Sequence, residues 1–211
     1  AVDHVGTSLG FVVVMGLVAG FGTTVVAAYG VGQRIINLFN TAIWGATSAL
    51  LTMVGQNLGA DQADRAEQIA RRGIRATFVV LVTLALVTVS VRRPLYLMFI
   101  ADPAVIAEGS LFLAIFGLSV PFFGLFAAAS SVFRGAGHTV PPMVLSLVRL
   151  WGFRVFLSWL LGYRLGLGPL GLWSGMALSN VLAGLLLHGW LLRGTWKRKV
   201  IEPERVSALT P

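Results

Sequence analysis

The sequence predicts an all-α, polytopic membrane protein, and three observations carry that reading. Hydrophobic residues make up 56% of the 211-residue chain and charged residues only 11%, with a mean hydropathy of +0.84; soluble domains carry about 25% charged residues. Six apolar segments fall at about 5–21, 25–54, 74–91, 104–133, 140–161 and 169–192, each close to or above the length that crosses a bilayer as a helix. The alternating apolar and polar pattern of a membrane barrel is absent, and backbone polar groups in lipid must be satisfied within the segment, so the six spans are helices. Residues 1–192 therefore form one transmembrane unit, and residues 193–211 form a basic tail on the cytoplasmic side, solvated or in contact with headgroups.

The first segment begins almost at once, and the chain opens on Ala1 rather than Met. The expectation is a fragment whose start is cut into a helix, without a signal peptide, because no basic leader precedes the apolar run. Asp3 lies one turn before Thr7; it sits at headgroup level or lines the same face as that threonine. The second segment carries a polar stripe. Gln33, Asn37, Asn40, Trp44 and Thr47 follow i, i+4, i+7, i+11 and i+14, one face of a helix. Carboxamides facing lipid are costly. The face therefore meets either a neighbouring helix, through interhelical hydrogen bonds, or a cavity wall of mixed amide and aromatic surface.

A long polar break, Gly55 to Ala66, separates the first two segments from the other four. Asp61 is placed to cap the helix that follows, with Asp64 and Glu67 in its early turns. Asp61 and Arg65, and Glu67 and Arg71, are spaced i,i+4 for ion pairing. Asp102-Pro103 reads as an N-cap with proline at the first helical position. Pro121 falls inside the fourth segment, where it removes a backbone hydrogen bond and kinks the helix, either passively or as a hinge. Pro141-Pro142 and Pro169 open the fifth and sixth helices. Arg149 and Arg154 are the only charges well inside a span. Five residues apart on an α-helix is about 140° around the axis, so the two are expected to face different directions. One would snorkel and one would bond backbone carbonyls, or one would enter the cavity and meet an anionic group of substrate or lipid. Asn180, near the middle of the sixth segment, carries the same two readings as the amide stripe.

Charge sets the orientation. Arg65, Arg71, Arg72, Arg75, Arg134, Arg193, Lys197, Arg198, Lys199 and Arg205 fall on one side, against Arg34, Arg92, Arg93 and Arg164 on the other. The ten-to-four bias places both ends in the cytoplasm and argues against dual insertion. Tyr96, Tyr163 and Trp173 near the outer ends, and Trp190 and Trp196 near the inner end, are expected to form interfacial belts. The net charge of +8 and pI near 11.3 follow from this bias rather than from nucleic-acid binding, since no basic stripe is interleaved with stacking aromatics. With no cysteine there is neither a disulfide framework nor thiol chemistry.

The eight acids are Asp3, Asp61, Asp64, Glu67, Asp102, Glu108, Glu202 and Glu204, and none falls at mid-span. A proton- or cation-driven pump usually needs a buried carboxylate. No metal-ligand cluster, phosphate loop or hydrolytic acid pair is present. Gly6-Thr7-Ser8-Leu9-Gly10 matches G-x-S-x-G and His188 lies in the last span, which raises an intramembrane serine hydrolase as an alternative; its nucleophile elbow would need a strand-turn-helix context.

Four stretches carry a family resemblance. Gln56-Asn57-Leu58-Gly59-Ala60 with Arg65-Ala66 resembles the loop between paired helices of multidrug and toxic compound extrusion (MATE) transporters. Val26-Ala27-Ala28-Tyr29-Gly30-Val31-Gly32-Gln33-Arg34-Ile35 is similar to the start of that family's eighth helix. Phe133-Arg134-Gly135-Ala136-Gly137-His138-Thr139 resembles its tenth-to-eleventh loop, and Gly168-Pro169-Leu170-Gly171-Leu172-Trp173-Ser174-Gly175 the start of its twelfth helix. They occur in the family's order and match its C-terminal half, helices seven to twelve. The resemblance implies one six-helix lobe of a plasma-membrane antiporter, paired with an N-terminal lobe around a central cavity. It implies export of amphipathic, often cationic small molecules by alternating access, driven by H+ or Na+ and without a cofactor. The family's sodium-coupled branch has acids in its seventh and tenth helices. Here the seventh-helix position falls near Thr7, and the fourth segment offers only serine hydroxyls. The chain thus looks like the DinF-like branch, and the coupling ion is expected in the N-terminal lobe. A flippase for lipids or lipid-linked oligosaccharides, from the same superfamily, is the alternative within transport.

Overall fold

The computed structural model describes residues 2–197, with side chains from Ser8 onward. The Asp3 and Thr7 side chains and the tail beyond Lys197 lie outside the described residues. The described chain is helical throughout, without a strand. We label α1 Val2–Ala19, α2 Thr23–Gly59, α3 Ala63–Ser90, α4 Arg92–Leu97, α5 Pro103–Gly135, α6 Val140–Arg164 and α7 Gly168–Leu192. Helices α2, α3, α5, α6 and α7 are each long and apolar enough to cross a membrane, and the described part of α1 is a shorter apolar helix.

Helices α5 and α7 are the most buried of these and lie side by side at the centre. Helices α2 and α3 pack on α5 from one side, and α6 packs on α7 with α1 against it. Apolar burial does not by itself hold helices together in lipid, so close packing must do it, and small residues at crossings permit that. A Cβ on Gly171 would lie 2.4 Å from the Leu161 carbonyl oxygen, and one on Gly175 would lie 2.4 Å from the Ser158 backbone nitrogen. The α7 glycines thus seat that helix directly on the α6 backbone. Gly55 and Gly135 do the same for the C-terminal ends of α2 and α5, where a Cβ on Gly135 would meet the Leu51 carbonyl oxygen at 2.6 Å.

Several local expectations hold and others do not. Asp102 caps α5, its Oδ1 accepting from Ala104 N at 2.8 Å and Val105 N at 3.4 Å, with Pro103 in the first turn. Glu67 pairs with Arg71 at 2.7 Å. Asp61 does not cap α3. It takes φ 58° in the turn that closes α2, and Gln62 stands at the cap position without a side-chain cap bond. Asp is among the few residues that tolerate this left-handed conformation. Arg65 Nη1 donates to Gln62 Oε1 at 3.3 Å.

The aromatic belt also needs correction. Tyr96 and Trp173 are fully buried. Tyr96 donates to the Ala28 carbonyl, and Trp173 Nε1 donates to Glu108 Oε1 at 2.6 Å. Both belong to the cluster that joins α1, α2, α3, α4, α5 and α7. Trp196 is buried too, in a short 3-10 turn, Thr195–Lys197, which docks back on the lobe beside α3 through a Lys197–Glu67 ion pair. The first residues past α7 are thus held rather than solvated. Tyr163 and Trp190 are exposed, and Tyr163 donates to the Leu17 carbonyl.

Candidate functional site

Four helices depart from regular α geometry or carry polar groups inward, and they meet at one cavity. In α5, residues Leu113–Gly117 form a wide π turn that ends four residues before Pro121. Proline removes the N–H that would bond the carbonyl four residues back, here that of Gly117. Ser119 Oγ donates to the Phe116 carbonyl at 2.7 Å beside it. The interruption of α5 is therefore a widened turn backed by a side-chain hydrogen bond.

In α6, residues Val148–Val155 form a longer π segment. A π turn closes its hydrogen bonds at i→i+5 instead of i→i+4, so residues five apart come to lie nearly one above the other. Arg149 and Arg154 consequently face the same way. This reverses the sequence expectation, which assumed a regular α-helix.

Both guanidiniums converge on one neutral acceptor in α7. Arg154 Nη2 donates to Asn180 Oδ1 at 2.8 Å and Arg154 Nε to Ser179 Oγ at 3.2 Å; Arg149 Nη1 reaches the same Asn180 Oδ1 at 3.4 Å. Asn180 Nδ2 in turn donates to Ser119 Oγ at 3.0 Å, which ties the cluster to the widened turn of α5. Neither arginine snorkels, and each bonds side chains. Arg149 is 9% exposed, Arg154 7% and Asn180 1%. Phenyl rings cover the charges: Arg149 lies over Phe123 and Phe126, at 5.0 and 5.4 Å, and Arg154 over Phe116 at 5.5 Å.

Burying one charge costs several kcal/mol after relaxation, whereas a cation–π contact returns about 0.5–2 kcal/mol and a hydrogen bond to a charged group about 1.5–3 kcal/mol. Arg154, with two bonds and a ring, is largely compensated. Arg149 is not, since its bond to Asn180 is long and its Nε has no hydrogen-bond partner. Among the described residues no carboxylate forms an ion pair with either arginine.

The cavity has a volume of about 610 Å³. Helix α2 walls one side with Gln33, Asn40, Trp44 and Thr47; α6 walls the other with Arg149 and Arg154; α5 spans the back, and Asn180 enters from α7. The structure thus brings seven of the residues singled out in the sequence, Gln33, Asn40, Trp44, Thr47, Arg149, Arg154 and Asn180, to one space. Asn37 is not among its lining residues; it is exposed and accepts from Asn40 Nδ2 at 3.1 Å. Pro121 is in the wall helix, next to the lining residue Val120, without itself lining the cavity. Trp44 is 73% exposed at the rim.

The back wall was not legible in the sequence. Phe116, Phe123, Phe126 and Ser130 line it, at i, i+7, i+10 and i+14, one α-helical face. That periodicity was present in the sequence, but it is hidden in a segment that is apolar on every side. The G-x-S-x-G match carries no elbow: Ser8 lies within α1, a regular helix.

Residues 1–160 match the family model described as MatE. The chain is 26% identical over 210 residues to a probable multidrug resistance protein NorM from Thermotoga maritima, covering 99% of this chain and 45% of that protein. It is 33% identical over 184 residues to a protein of the same name from Deinococcus radiodurans, covering 85% of this chain and 41% of that one. The fold matches the crystal structure of the Vibrio cholerae MATE transporter VcmN in its bent form, with a TM-score of 0.85 and 27% identity over 93% of this chain and 44% of VcmN. The chain therefore spans less than half the length of the relatives it matches, and corresponds to one lobe of such a transporter.

Proposed function

The chain belongs to the MatE family, and from that premise we propose that it is the C-terminal lobe of an efflux antiporter. It exports amphipathic compounds, cationic ones among them, in exchange for H+ or Na+. The relatives are transporters rather than enzymes, so the serine-hydrolase alternative falls away. The observation that carries the reading is the cavity: amide, aromatic and guanidinium groups line a space open at Trp44, and no single lobe closes it. An N-terminal six-helix lobe of the same protein would supply the opposite wall. It would also supply the carboxylates that bind the coupling ion, since among the described residues no acid lines this cavity. Both ends of the chain lie on the cytoplasmic side of the plasma membrane, following the arginine and lysine bias. The lobes rock about the cavity, and the widened turn with Pro121 in α5 is the hinge. No cofactor is required, and nucleic acid is not a partner.

A lipid or lipid-linked oligosaccharide flippase is the second reading, and the two buried arginines favour it. Ion-driven export by the full-length protein in sealed vesicles tests the first reading. Drug export that collapses with the ion gradient, and its absence from vesicles holding only residues 1–211, is the expected result. Export by this chain alone, or gradient-independent movement of lipid without drug export, contradicts it.

A further inference from the structure

We propose that Arg149 and Arg154, with Ser130, form a binding subsite for an anionic oxygen group of the transported molecule. The transporter would then accept amphipathic acids and zwitterions, not only cations. The inference rests on the reading of the cavity as a transport site and narrows its substrate class.

Four observations carry it. Both guanidiniums line the cavity and share the single neutral oxygen of Asn180. Among the described residues no carboxylate pairs with them or lines the cavity. Arg149 Nε, on a side chain more than nine-tenths buried, has no hydrogen-bond partner. Ser130 Oγ, also buried and lining the same cavity, has none either. Ser130 stands one turn beyond Phe126, the ring that covers Arg149. An unneutralised double positive charge, two buried donors that lack a hydrogen-bond partner, and the rings of Phe116, Phe123 and Phe126 beside them ask for one kind of occupant. It has a carboxylate or phosphate oxygen to accept the bonds, and an apolar body to lie against the rings. Charge-assisted bonds from a planar guanidinium are strong and directional where water is excluded. The π segment of α6 is what makes the subsite, because it sets the two arginines on one side.

The test uses the full-length transporter in phosphatidylcholine nanodiscs. The probes are 7-diethylaminocoumarin-3-carboxylic acid and its ethyl ester, which share one ring system and differ in the negative charge. The acid should bind about tenfold tighter or more than the ester, a difference of about 1.4 kcal/mol. Arg149→Gln should erase the preference, while Arg149→Lys, which keeps the charge and loses the fork, should retain part of it. The wild-type comparison needs no variant. Equal binding of acid and ester overturns the proposal, and means that a carboxylate of the partner lobe or Asp3 already fills the site. A preference that survives both Arg149→Gln and Arg154→Gln overturns it as well.

Replacing half of the phosphatidylcholine with phosphatidylglycerol separates the two sources of such a group. Acid binding that falls in these discs assigns the subsite to an anionic lipid headgroup; unchanged binding assigns it to the exported compound. Ion-driven drug export by the same protein is measured alongside. Export without acid preference overturns the subsite and leaves the antiporter standing. Acid preference without export of any compound overturns the antiporter and leaves the subsite.

Discussion

Glu67 holds two cations at once. Arg71 reaches it from the next turn of α3, and Lys197 reaches it from the far end of the chain. Hydrogen bonds from Lys197 first and Arg71 second hold its carboxyl below the usual glutamate range. A depressed carboxyl adds stability above its unfolded value and loses it as pH falls toward the folded one. The contact sits ahead of the apolar part of α3, in water, so it fixes the position of the Thr195–Lys197 turn more than it strengthens the fold. A nitroxide placed at Thr195 should therefore be immobile at neutral pH and mobile after Glu67→Gln. In the wild-type background the same label should loosen as the pH drops below the glutamate range. Identical spectra for both proteins at neutral pH would contradict the tie. Single residues of this kind were legible where the partner was local. The Asp102 cap and the Glu67–Arg71 pair follow from spacing alone. Lys197 is 130 residues from Glu67, and no spacing rule reaches that far. Tyr96 and Trp173 misled for a related reason. Nearness to a helix end does not say whether a ring faces lipid or a neighbouring helix, and here Gly32 and Gly109 leave the room that Tyr96 fills.

At the scale of helices, the spans themselves were legible, because length and hydropathy decide them. The π segments were not. Nothing in Val148–Val155 marks an i→i+5 ladder, and a count at 100° per residue sent Arg149 and Arg154 apart where the structure brings them together. What holds α6 to α7 is more visible, since Gly171 and Gly175 are four apart and meet α6 backbone atoms that cannot swing aside. Gly175→Ala should cost roughly 1–3 kcal/mol, the range for overpacking a tight contact. Gly189, on the same helix, has nothing within 4 Å of its would-be Cβ. Gly189→Ala should be neutral or slightly stabilising, within about 1 kcal/mol, as helix propensity dictates. Thermal unfolding in detergent compares the two. Equal melting temperatures would mean that the helices are not seated glycine to backbone.

At the scale of the molecule, the lobe resolves into two apolar clusters, one built on Tyr96, Phe112 and Trp173 and the other on Ala66, Phe133 and Leu187, with Phe123 packed against both. The cavity opens beside that junction, between α2 and α6. The polar residues of the site were legible in the sequence, as the stripe of α2 and as the in-span Arg149, Arg154 and Asn180. That they meet, and the phenyl wall between them, depends on which helix faces which, a matter of tertiary packing that no periodicity states. Substrate protection of single cysteines tests most directly whether this space is half of a transport cavity. In a cysteine-free background of the full-length transporter, cysteines replacing Gln33 and Asn40 should react with a water-soluble thiol reagent. A cysteine replacing Ile35, which is buried in the helix core, should not react. An exported drug at saturating concentration should slow labelling at 33 and 40 by about tenfold or more, the occupancy effect expected of a ligand well above its Kd. Labelling at 33 and 40 that substrate leaves unchanged, or equal reactivity at 33, 35 and 40, would contradict the cavity as the transport site.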